Sequence, residues 1–216
     1  MSSTKLFRMG FPVVVCAMAA QAGTLFLNPV LTVHQYQQTT NNPCVIGESS
    51  CQNPATFPNW TVLPIASSYD ALSPLYTVAD IRSIVGNSIL MGFDINDTSV
   101  TQTLSLFTML INGSVVDTYT GAPTLVPPTV GGGNGNGYAD YTFTGFTDLT
   151  SYKTTDTVQF HLVMPLVNDG REQLFLISGS GGGGGGGQAV PEPVSFLLAG
   201  SGLVGIYFIR RRRPGL

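Results

Sequence analysis

Few residues in this chain have the types and spacing for chemistry, and each group points to a different kind. Cys44 and Cys51 enclose the short loop Val-Ile-Gly-Glu-Ser-Ser. An oxidising compartment joins such a pair as a disulfide; a reducing one leaves two thiols. Two cysteines and two distant histidines, His34 and His161, make no zinc pattern. Three turns are rich in side-chain oxygen: Asp94, Asn96 and Asp97; Asn134, Asn136 and Asp140; Asn168, Asp169 and Glu172. Hard cations prefer oxygen, so these are candidate calcium positions, the first of them foremost. None follows the Asp-x-Asx-x-Asx-Gly loop that closes on Glu, and Asn and Asp favour turns through local hydrogen bonds anyway. Plain turn chemistry therefore explains all three, and no other cofactor is expected. Trp60, Tyr138 and Tyr141 are aromatic faces on which a sugar ring can stack. His161 sits in an alternating run, the place of a structural histidine rather than a base. No Gly-x-Ser-x-Gly elbow exists outside an apolar stretch, and the Gly-Asn-Gly-Asn-Gly string lacks the Lys-Ser/Thr of a phosphate loop. No catalytic constellation is expected.

The elements that would carry these residues read as β. Residues 102–111 alternate in character, and Asn112-Gly113 separates them from a second β-type run. Asn-Gly tolerates positive φ at both central positions, so this is a hairpin signal. Residues 157–164 alternate as well, and a turn at 168–170 leads to a last strand at 172–178, which predicts a second hairpin. Shorter strands are expected at 31–37, 60–65, 87–95 and 138–145. Pro64 would end its strand or hold it at an edge. Residues 76–85 carry Ile81, Ile84 and Val85 on one helical face. Residues 123–137, with Pro127-Pro128 and five glycines, read as a long loop. The first stretch, 24–61, shows little long-range pattern. About seven or eight short strands punctuated by Gly, Asn, Asp and Pro predict an all-β fold, an antiparallel β-sandwich over residues 23–178.

Both ends differ from this body. Residues 1–22 have a basic start (Lys5, Arg8), an apolar middle and a final Ala20-Gln21-Ala22. That order predicts a secretory signal peptide cut before Gly23. Residues 179–189 are mostly glycine, a flexible tether. Residues 190–216 begin with Pro191-Glu192-Pro193, run on through the uncharged residues 194–209, and then reach Arg210, Arg211, Arg212 and Arg213. The prolines fix a helix start. The apolar run would span about 24 Å as a helix. A block of arginines directly after it is a membrane stop on the cytoplasmic side, so a single C-terminal transmembrane helix is expected.

With the leader and the arginine block set aside, three basic residues (Arg82, Lys153, Arg171) face all 12 acidic ones, a net charge near −9. Such a body repels nucleic acid and anionic lipid, so neither is an expected partner.

The order Pro-Glu-Pro, apolar helix, arginine cluster resembles the PEP-CTERM sorting signal of Gram-negative bacteria. The matching residues are Val190 to Pro193, Phe196 to Gly200, Gly202 to Gly205 and Arg210 to Arg213. Some descriptions call the same kind of segment the C-terminal domain of an ice-binding protein; the residues here give that label no ice-binding content. The resemblance implies an exosortase-type membrane protease as partner, cutting at or near Pro-Glu-Pro, with the helix a transient anchor. It also implies a body facing the periplasm first and the cell surface or extracellular space afterwards. The expected function is a non-catalytic surface or matrix protein. The alternative is a secreted carbohydrate-binding module of the exopolysaccharide layer.

Overall fold

The computed structural model describes residues 22–32, 34–96, 102–119, 124–125, 137–167 and 170–179. The expected leader, glycine tether, Pro-Glu-Pro and transmembrane run lie outside them. Among the described residues no helix is long and apolar enough to cross a membrane.

The described residues form fourteen strands and one α-helix, in order β1 (Gly23–Thr24), β2 (Phe26–Pro29), β3 (Cys44–Gly47), β4 (Thr61–Val62), β5 (Tyr69–Leu72), β6 (Tyr76–Thr77), α1 (Val78–Val85), β7 (Met91–Asp94), β8 (Gln102–Thr103), β9 (Leu106–Ile111), β10 (Ser114–Tyr119), β11 (Thr124–Leu125), β12 (Tyr141–Thr144), β13 (Thr157–Met164) and β14 (Gln173–Leu176). A 3-10 turn spans Leu149–Ser151. The first sheet runs β1-β10-β9-β13-β5, with β6 also on β13; the second runs β2-β12-β7-β14-β3-β4; β8 and β11 form a separate pair.

The all-β expectation holds, but two of its details do not. The sheets are mixed rather than antiparallel, because β1 pairs in parallel with β10 and β3 with β4. The strands also outnumber the seven or eight expected, since several are two-residue pieces too short to leave a periodic trace.

The hairpin at Asn112-Gly113 forms. Asn112 and Gly113 take φ of 51° and 76°, and Ser114 pairs with Ile111 across the turn. The second expected hairpin does not form. β13 belongs to the first sheet and β14 to the second, so the link through Gly170 passes between sheets. Among the described residues of 31–37 no strand forms, and Gln37 bridges to Tyr138. The alternating run at 102–111 breaks at Leu104-Ser105 into β8 and β9, and β11 lies inside the expected loop. β4 does lie at a sheet edge, just before Pro64.

The residues of 76–85 become β6 and then α1. Thr77 caps the helix: its hydroxyl accepts the Asp80 N–H at 3.1 Å, while the Asp80 carboxylate accepts the Thr77 N–H at 2.7 Å. This reciprocal box satisfies two otherwise orphaned donors. Val78, Ile81 and Val85 are buried, and Gly86 ends the helix at φ 72°.

Phe107 and Met109 of β9 and Phe160 and Leu162 of β13 share one core with Met91 and Phe93 of β7, Phe143 of β12 and Leu174 of β14. The Phe107 and Phe143 rings lie 4.3 Å apart across the two sheets. The second sheet also buries its other face. There Cys44, Cys51, Ala139, Phe175 and Ile177 form a smaller cluster with Val30, Tyr36, Trp60 and Leu90. The weakly patterned segment between β2 and β4 supplies much of that cover.

Candidate functional site

The Cys44–Cys51 disulfide is present, with the Cα atoms 6.0 Å apart. Asn53 organises its loop: its Oδ1 accepts the Cys44 N–H at 2.8 Å, and its Nδ2 donates to the Cys44 carbonyl at 3.1 Å and the Pro58 carbonyl at 2.8 Å. Gly47 packs on the bridge; a Cβ there would stand 2.6 Å from Cys51 Sγ. Trp60 is half-buried against this cluster and its indole N–H donates to the Glu48 carbonyl at 2.8 Å.

Strand register gathers polar residues beside the disulfide. Phe93 pairs with Tyr141, and Asp94 pairs with Gln173, so Asp140 and Gln173 flank Asp94 on the outward side of the second sheet. Gln173 Nε2 donates to Glu48 Oε1 at 2.8 Å. Asp94 Oδ2 accepts the Gly137 N–H at 2.9 Å, and Asp140 Oδ2 accepts the Ile95 N–H at 2.8 Å. Glu172 Oε2 accepts the Asn96 N–H at 2.6 Å. Asp94 is fully buried, and among the described residues its Oδ1 has no hydrogen-bond partner. Burial is the main force that lifts its pKa to about 8; the Asp140 carboxylate adds to the lift, the Gly137 N–H opposes it, and Glu172 and Glu48 contribute further. Burial also raises Asp140 to about 6, against the Ile95 N–H. Asp94, raised to about 8, holds its proton at neutral pH, whereas Asp140, raised to about 6, has mostly lost it.

Members of all three oxygen-rich turns thus meet, through Asp94 and Asn96, Asp140, and Glu172. Asp97, Asn134, Asn136, Asn168 and Asp169 lie outside the described residues. Among the described residues no group of three or more His, Cys, Asp or Glu is placed to hold a metal ion.

The three aromatics stand apart. Tyr141 packs on the main core, Tyr138 lies 4.2 Å ring to ring from His34, and Trp60 sits beside β4, at the far edge of the second sheet from β12. His161 pairs with Asp70, Nε2 to Oδ1 at 2.6 Å, on the outward side of the first sheet. Sequence reading missed Asp70, Glu48 and Gln173 as partners. Only strand register brings them together, and nothing local in the chain signals it.

The residues that decide the protein's fate lie at its end. A family model described as a PEP-CTERM protein-sorting motif matches residues 189–213. This chain carries a PEP-CTERM sorting motif. The match takes in Pro191, Glu192, Pro193 and the arginines Arg210 to Arg213, the residues that sequence reading singled out. The motif makes this an exported protein sorted through its C-terminal signal, with an exosortase the associated processing enzyme. No curated protein and no solved structure matches the chain.

Proposed function

We propose that this is an exported, non-catalytic structural protein of the cell surface or extracellular matrix. The observation that carries the reading is the sorting motif over residues 189–213, joined to the β body through a glycine-rich tract. The leader is removed after Ala22, and the body enters the periplasm. The apolar run at 194–209 holds it in the membrane with Arg210 to Arg213 in the cytoplasm. An exosortase-type protease then cuts at or near Pro191-Glu192-Pro193 and frees the body. The body's make-up supports a structural role. Its buried acids are sealed, its disulfide staples a loop, and its charge is strongly acidic. These are features of a durable extracellular module.

Replacing Pro191, Glu192 and Pro193 together by alanine tests the reading. Processed protein in the medium should fall at least tenfold, with full-length chain accumulating in membranes. Undiminished release of cut protein would contradict it.

A further inference from the structure

The expected leader and the first sheet meet at one residue. Gly23 opens β1, and the parallel pairing with β10 sets it opposite Asp117. Asp117 is fully buried. Its carboxylate accepts the Thr147 N–H at 2.8 Å and the Thr147 hydroxyl at 2.7 Å. Among the described residues no salt bridge reaches it. Residue 23 lies directly on this carboxylate: a Cβ there would stand 2.3 Å from Asp117 Oδ1, so only glycine fits. Gly145, at φ 86°, also packs against β1, where a Cβ would stand 2.9 Å from the Thr24 carbonyl. Asp117 is therefore the junction of β1, β10 and the segment after β12. The other ionisable groups on these segments supply no cation. Tyr119 packs edge-on against Phe143, and Asp148 is exposed and caps the following turn.

A buried carboxylate held only by neutral donors is costly, and a cation within reach removes much of that cost. Among the described residues no side-chain cation pairs with Asp117 at this junction. Proteolysis can make one. Before cleavage the residue 23 nitrogen is an uncharged amide. Hydrolysis of the 22–23 bond adds hydroxide to the Ala22 carbonyl carbon and leaves an amine on Gly23, which takes up a proton at neutral pH.

We propose that removal of the leader makes the Gly23 α-ammonium the charge partner of Asp117, so that maturation itself locks β1 onto the first sheet. The proposal rests on the reading that the leader is cut after Ala22. It gives two otherwise separate facts one cause. Residue 23 is where the cleavage rule falls, and it is also the residue that touches the one buried carboxylate of the first sheet. β1 is two residues long and paired on one side only, so it has little else to hold it.

The test compares chains that keep every residue from Gly23 to the C-terminus, in one detergent. One form has a free Gly23 amine, one is Nα-acetylated, and one retains Ala22; each is also made with Asp117→Asn. The free amine should give a higher Tm than both blocked forms, and Asp117→Asn should erase the difference. The Gly23 amine should titrate at least one unit above the ordinary α-amino value of about 8, so its acylation at pH 8 should be several-fold slower than in Asp117→Asn. A raised α-amino pKa contributes stability below its unfolded value, and that stability is lost as pH rises through the folded value. Equal Tm for free and acetylated Gly23 would overturn the pairing, and this comparison does not depend on Asp117→Asn folding. N-terminal sequencing of exported protein separates the other failure. A start elsewhere than Gly23 removes the role in maturation, even where the pair forms in the purified Gly23 chain.

Discussion

The two sheets share a core but differ on their other faces. On the first, β13 alternates half-buried and buried residues along its whole length, and Gln159, His161 and Val163 face outward. On the second, β3, β7 and β14 are buried at every position. The difference comes from the 30–60 segment, which lies over the second sheet and carries the disulfide. A sheet with one wet face writes its period into the sequence, whereas a sheet covered on both faces does not. The covered face is also where polar groups become energetically expensive, and the raised acids Asp94 and Asp140 lie there.

The contrast can be broken most forcefully at Phe175, an outward residue of the second sheet that is fully buried. Phe175→Ala should cost about 3–5 kcal/mol in chemical denaturation. The outward Gln159→Ala on the first sheet should stay within about 0.5–1 kcal/mol. Equal costs at the two sites would mean that the cover does not seal the second sheet. Next in size is the disulfide. Replacing Cys44 and Cys51 by serine should remove about 2–3 kcal/mol, and amide exchange should rise first in the 30–60 segment.

The pH dependence sharpens the same point. A carboxyl with a raised folded pKa contributes stability fully below its unfolded value of about 4, and that contribution drains away as pH rises through the folded one. For Asp94 the window runs up to about 8. Asp94→Asn should flatten the Tm–pH curve between those limits and raise Tm at pH 8. An unchanged slope would show that Asp94 does not hold the proton. The smallest effect is expected at the exposed pair of the first sheet. Asp70 is 77% exposed, so Asp70→Ala should change stability by no more than about 1 kcal/mol.

Legibility in the sequence followed the same division. Residues 157–164 read as a strand because His161 and its neighbours face water at every second position. The Asn112-Gly113 turn read as a hairpin because its positive φ angles need those residues. By contrast, the uniformly apolar Leu-Phe-Leu of β14 gave no sign of which sheet it joins, and a local turn at Gly170 was read as a hairpin. The cover over the second sheet was invisible because its contacts are long-range and its own backbone is irregular. Asp94, Asp140, Glu48 and Gln173 meet only through register, so each read as an ordinary turn or strand residue. The tail was legible for another reason. A sorting signal is recognised through composition and order at one end of the chain, and Pro191-Glu192-Pro193 with Arg210 to Arg213 needs no tertiary fold to be read.

The most direct test of the account is the intact mass of the protein recovered separately from the medium and the membranes of its native host. The account predicts a released form that begins at Gly23 and ends near Pro191 to Pro193. It also predicts a membrane form that still carries Arg210 to Arg213. A single membrane-bound species with the arginines intact, and nothing released, would contradict it.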